Sequence, residues 1–187
     1  MELKNINWKE LRDRAYQNAV KHGFYENRTM IEDCMLIITE LGEAVNAHRK
    51  GCHARRSDFE KRIDCSSPVS NEYWMSCYEV YIKDKVEDEI ADTFIRILSF
   101  LGHANVEVDT DFLGNEPVNL AKEFMTGKSF AEQVYTIVFS IVLDDDLNCA
   151  ITRLITLAII HDIDLLWHVE QKMKYNELRP YKHGKKY

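Results

Sequence analysis

Apolar residues return at helical spacing along most of this chain, and that period limits the fold more than any other feature. From Trp8 to His22, the residues Trp8, Leu11, Ala15 and Ala19 or Val20 share one stripe. A second helix is expected from Arg28 or Thr29 to Lys50. Its apolar face is Ile31, Met35, Ile38, Leu41 or Gly42, and Val45, with Gly51 as C-cap. A third is expected from about Val80 to Ala104, burying Ile90, Phe94, Ile97 and Leu101. Two more follow near Val118 to Leu143 and Leu147 to His161, with Asp144 to Asp146 as turn and N-terminal cap. The last runs from about Leu165 to Leu178, because Pro180 disfavours helical geometry at Arg179. The stretch from Gly51 to Asn71 shows no sustained period and reads as a long loop. Seven glycines and three prolines are too few for the turns of an all-β fold, so an all-α bundle in one domain is expected.

Two helices of this set carry paired acids. "ITELGEAV" places Glu40 and Glu43 three residues apart, on one face and roughly 4.5 Å apart along the axis. "EDEIADTF" repeats the spacing with Glu89 and Asp92, beside the stripe of Ile90, Phe94 and Ile97. Like charges this close repel, and solvent or a cation must offset that. If the helices pack side by side, four carboxylates converge. Four oxygen ligands without His or Cys suit Mg²⁺, or Mn²⁺, rather than zinc or iron. The bland alternative is a pair of solvated helix faces.

A basic element closes the chain. "KMKYNELRPYKHGKKY" places Lys172, Asn176 and Arg179 on one helical face, followed by Lys182, His183, Lys185 and Lys186. From Lys172 onward the charge is +5, against −12 for the rest of a chain whose net charge is −7. That net charge argues against a general nucleic-acid binder, while the basic end suits phosphate. An acidic cluster and a basic stripe together suit a nucleoside triphosphate and its metal.

"LIITELGEAVNAHRKG" followed by "EDEIADTFIRILSFLG" resembles the all-α nucleoside triphosphate pyrophosphohydrolases, the MazG-like superfamily. The final segment is similar to the Lys-x-x-x-Asn-x-x-Arg stretch with a His-Gly-Lys tail found in many of its members. The resemblance implies a four-helix-type bundle, from which this chain departs by a loop excursion at 51–80 and by extra helices over about 105–163, inserted before the last helix. It also implies Mg²⁺-dependent hydrolysis of a (d)NTP to the monophosphate and pyrophosphate, in nucleotide-pool cleansing or dNTP metabolism. Glu40, Glu43, Glu89 and Asp92 would hold metal, with Glu40 or Glu43 orienting water. Lys172, Asn176, Arg179, Lys182, His183 and Lys185 would face the nucleotide, and Trp8 could stack on its base. A homodimer or tetramer is implied. The competing expectation is a non-catalytic helical protein of the same fold that binds a nucleotide or a protein partner. A phosphoribosyl-ATP pyrophosphohydrolase is a third option, against which the long inserted segments count.

Other features receive structural readings. Glu87 and Asp88 are expected on solvated faces, and Arg96 in a salt bridge one turn from Asp92. Phe24, Trp74 and Trp167 are expected to pack. His161 and Asp164 lack the further ligands of a His-Asp metal site, and Cys52, His53, Cys65 and Cys77 are too widely spaced for a standard zinc site. Five cysteines without a Cys-x-x-Cys, no apolar leader and no long apolar run point to a cytoplasmic protein without a membrane span.

Overall fold

The computed structural model describes residues 6–26, 28–64, 68–142 and 146–181. Helix α5 (Val86–His103) runs through the middle, and thirteen of its side chains are buried, from Val86 to Leu101. A helix that is apolar on nearly every side must be enclosed by others. Around it lie α1 (Trp8–Lys21), α2 (Met30–Arg49), α8 (Leu147–Ile160) and α9 (Leu165–Leu178). Helix α7 (Phe130–Val142) packs on α2 and α8, and α6 (Asn115–Met125) on α8. No strand occurs among the described residues, and no helix of theirs is long and apolar enough to cross a membrane.

The expected α5 stripe is wholly buried: Ile90, Phe94 and Ile97 at 0% exposure and Leu101 at 3%. The α2 stripe is rotated from expectation. Ile31 and Met35 are exposed, whereas Asp33, Ile37, Glu40, Leu41, Ala44 and Ala47 are buried. A reciprocal capping box between Thr29 and Glu32 fixes where α2 starts.

Three expectations on helix boundaries are corrected. Residues 51–71 are not one long loop, because α3 (Arg56–Ile63) lies within them and α4 (Asn71–Tyr81) follows. Together they form a small second core of Phe59, Trp74, Cys77, Tyr78 and Ile82, closed by Tyr175 of α9. Few of these side chains sit on each short helix, so no stripe is visible along the chain. The helix expected from Val80 starts at Val86 instead, because Asp84 adopts a left-handed conformation (φ 59°) between α4 and α5. The helix expected over Val118 to Leu143 is two helices. Gly127 turns the chain at φ 81°, and Ser129 with Glu132 caps α7. Asp146 caps α8 as expected, while Asp144 and Asp145 lie outside the described residues.

Gly102 is where α5 meets α1. A Cβ there would sit 2.5 Å from the Cβ of Tyr16. Gly102→Ala is expected to lower unfolding free energy by about 1–3 kcal/mol in urea denaturation, through overpacking of that contact.

Candidate metal and nucleotide site

The acids of α2 and α5 converge as their spacing foretold, although not all four equally. One carboxylate oxygen each from Glu40, Glu89 and Asp92 lies within 4.8 Å of the other two. Glu40 is 5% exposed and Glu89 3%. Glu43 projects one turn along α2 and is exposed at the mouth of the adjoining cavity.

Cations hold this cluster. Arg96 donates to Glu40 Oε1 from Nε at 2.7 Å, with Nη2 at 2.6 Å from the same oxygen. The expected salt bridge of Arg96 therefore crosses to α2. Lys172 of α9 donates from Nζ to Asp88 Oδ2 at 2.8 Å and stands 3.3 Å from Asp92 Oδ2. Asp88 is not on a solvated face. It is fully buried, and it accepts from the Tyr78 hydroxyl and from the Asp84 backbone N–H as well as from Lys172. Glu87 is tied down too, accepting from the Ala54 N–H at 2.7 Å and lying 2.9 Å from His53 Nδ1.

Five acids (Glu40, Glu43, Asp88, Glu89 and Asp92) thus share this region with two cations, Arg96 and Lys172, a formal excess of three negative charges. The consequence falls on Glu89. Burial, opposed by Lys172 and reinforced by Asp88, Asp92 and Glu40, pushes its carboxyl up to about 9. Burial and then Asp92 raise Glu40 as well, against Arg96 and Lys172. Burial pulls the Lys172 ammonium down, but Asp88, Asp92 and Glu89 outweigh it and leave it raised.

The residues present fit a hard divalent cation. In an octahedron with metal–oxygen bonds of about 2.1 Å, neighbouring ligand oxygens lie about 3 Å apart and opposite ones about 4.2 Å. The 4.8 Å envelope of Glu40, Glu89 and Asp92 closes to that with side-chain shifts of about 1 Å at most. The donors are all oxygen and short of positive charge, with Glu40 and Glu89 buried and Asp92 partly so. Among the described residues, the groups that could hold a metal contain carboxylates only. Cys77 is packed in the second core, and Cys65 lies outside the described residues. His161 faces Gln133, while Asp164 caps α9 and pairs with Arg56, so these two serve separate structural ends.

Beside the acids opens a cavity of about 110 Å³, between α1, the turn after it, α2, α5 and the end of α9. Asn176 and Arg179 line it as their helical face implied, with the Asn176 Oδ1 buried and lacking a hydrogen-bond partner. Lys172 does not line it. It is 5% exposed and acts as the counter-ion beneath the acids. Trp8 does not line it either, but packs in the main core against Phe94, ring centroids 6.2 Å apart. Lys182, His183 and Lys185 lie outside the described residues.

Among the wall residues that sequence reasoning missed are Asn18, Tyr25, Arg28 and Asp33. Asp33 precedes Glu40 by seven residues, two helical turns, so a carboxylate on the same face was a usable signal. No family model matches this chain, and neither a curated protein nor a solved structure does.

Two outcomes follow from the electrostatics. Lys172→Met leaves Asp88 and Asp92 buried without their cation, and is expected to cost about 3–5 kcal/mol in chemical denaturation. Glu89 has a folded pKa above its unfolded value of 4.5. Its contribution to stability is therefore complete below about pH 4.5 and is lost as pH rises towards about 9. In EDTA, Glu89→Gln is expected to melt at progressively higher temperature relative to the parent across that window, read by circular dichroism.

Proposed function

We propose that this protein is a Mg²⁺-dependent nucleotide pyrophosphohydrolase that cleaves a (d)NTP to the monophosphate and pyrophosphate. The observation that carries the reading is the carboxylate triad of Glu40, Glu89 and Asp92, of which Glu40 and Asp92 line a cavity walled also by Arg96, Asn176 and Arg179. Acids able to hold a cation thus stand next to cationic and amide groups able to hold phosphate.

In this reading Glu40, Glu89 and Asp92 would hold the metal, which would neutralise charge at the phosphates and lower the pKa of water. Glu40 already accepts from Arg96, so Glu43, at the cavity mouth, is the better placed to orient water and take its proton. Arg96, fixed by Glu40, and Arg179 offset charge gathering on the leaving pyrophosphate. Asn176 presents an unsatisfied amide oxygen to the ligand. Lys172 acts at one remove: by holding Asp88 and Asp92 it sets the rotation of α5 that aims Glu89 and Asp92 at α2.

One observation favours a second reading, a nucleotide-binding helical protein without turnover. Lys172 and Arg96 already offset part of the cluster from within the chain. Incubation with a (d)NTP panel and Mg²⁺, resolving pyrophosphate from single phosphate, separates the two. Pyrophosphate release is expected, with Glu40→Gln, Glu43→Gln, Glu89→Gln and Asp92→Asn each slowing it by about 10²-fold or more. Full turnover in all four variants overturns the site assignment. Ligand-induced thermal stabilisation without hydrolysis supports the binding protein.

A further inference from the structure

The cavity has a second end, away from the acids, whose chemistry is different. There Arg28 and Asp33 form an ion pair, Nε to Oδ1 at 2.5 Å, with side chains only 7% and 5% exposed. Arg28 Nε forms no hydrogen bond despite that contact, and Arg28 Nη1 and Asp33 Oδ2 are likewise buried without a hydrogen-bond partner, as is Asn18 Oδ1 of a residue lining the same cavity. A buried polar atom left unpaired costs about 1–3 kcal/mol. Arg28 Nε is committed to Asp33 by the ion pair, and the remaining three atoms, one donor and two acceptors, describe a ligand by its complement.

That ligand is not the phosphate. Asp33 neutralises Arg28 and presents a carboxylate oxygen to the cavity, which repels an anion. The complement is a neutral group with two N–H donors and one strong acceptor. Among the common bases, only guanine has a Watson–Crick edge with two N–H groups on adjacent atoms beside one carbonyl. Adenine and cytosine offer one N–H on that edge, and uracil and thymine offer one N–H between two carbonyls. The surroundings suit a flat ring, since Ala15 and Ala19 of α1, Phe24 and Ile95 supply apolar wall. Asp33 and Glu40 share the buried face of α2 seven residues apart, about 10 Å along the axis. The base and its ribose together span about that distance and leave the phosphates at the acids.

Resting on the nucleotide reading above, we infer that this end of the cavity reads guanine, Asp33 and Asn18 accepting from its N1–H and 2-amino group and Arg28 donating to its O6. The aromatic rings of Phe24 and Tyr25 hold Arg28 in place, their centroids 5.8 and 5.1 Å from its guanidinium carbon.

Nucleoside monophosphates in EDTA test this without metal or turnover. In calorimetric titrations GMP is expected to bind about tenfold or more tighter than AMP, CMP and UMP, with IMP, which lacks the 2-amino group, in between. Asp33→Asn replaces the carboxylate acceptor facing guanine with an amide that can donate, and is expected to exchange GMP for XMP, whose 2-carbonyl accepts where the 2-amino group donated. Should that variant not fold, the order on the unaltered protein decides. Equal binding of the five monophosphates, no binding, or another base bound tightest overturns the inference, as does an Asp33→Asn protein that keeps the GMP order. Hydrolysis of all (d)NTPs at similar rates sinks the guanine site and leaves the pyrophosphohydrolase. Selective GMP binding with no triphosphate hydrolysed does the reverse.

Discussion

A single ammonium group, Lys172 Nζ, ties the last helix to the central one. It lies against Asp88 and Asp92, at 2.8 and 3.3 Å, with almost no access to water. Removing a charge of either sign from water costs several kcal/mol, and only close, hydrogen-bonded partners return it. Asp88 meets that condition from three sides. Its two oxygens accept from Tyr78 of α4, from the backbone at the left-handed Asp84, and from Lys172 of α9. The chain break between α4 and α5, the second core and the position of α9 therefore close on one carboxylate. That carboxylate sets the rotation of α5, on which everything at the site depends.

Rotation matters because α5 carries acids on more than one face. Asp88 belongs to the scaffold, whereas Glu89 turns towards α2 and joins Glu40. Asp92 stands where the two roles meet, close to Lys172 and within the carboxylate triad. Burying Glu40 and Glu89 beside Asp92 is unfavourable, and the raised pKa of Glu89 expresses that strain as a held proton. A divalent cation would relieve the same strain, which links the metal reading to the electrostatics of the chain itself.

The cavity continues this division of charge. Helix α2 presents two buried carboxylates on one face, Glu40 towards α5 and Asp33 towards Arg28. Each carries an arginine partner, yet only at Asp33 does the pairing leave buried donor and acceptor atoms without hydrogen-bond partners. Periodicity conveyed the first of these and hid the second. Reading Ile31 and Met35 as core rotated the expected face of α2 away from Asp33. Their exposure shows that apolar spacing names a stripe without saying which of two neighbouring stripes is covered.

The sequence by itself determined the all-helical class, the span of α1, α2, α8 and α9, the acidic pairs and the basic face of α9. These follow from local rules: a 3.6-residue period, caps, and residues three, four or seven apart sharing a side. It left open the two-helix arm over 56–81, the break at Gly127, and the burial of Asp88, Arg28 and Asp33. Those depend on which surfaces meet. Phe59, Trp74 and Tyr78 form a core only when Tyr175 arrives from nearly a hundred residues later in the chain. Whether a carboxylate serves as a solvated surface group, a scaffold anchor or a ligand depends on how much water remains around it. Packing between helices removes that water, and only the tertiary structure decides where.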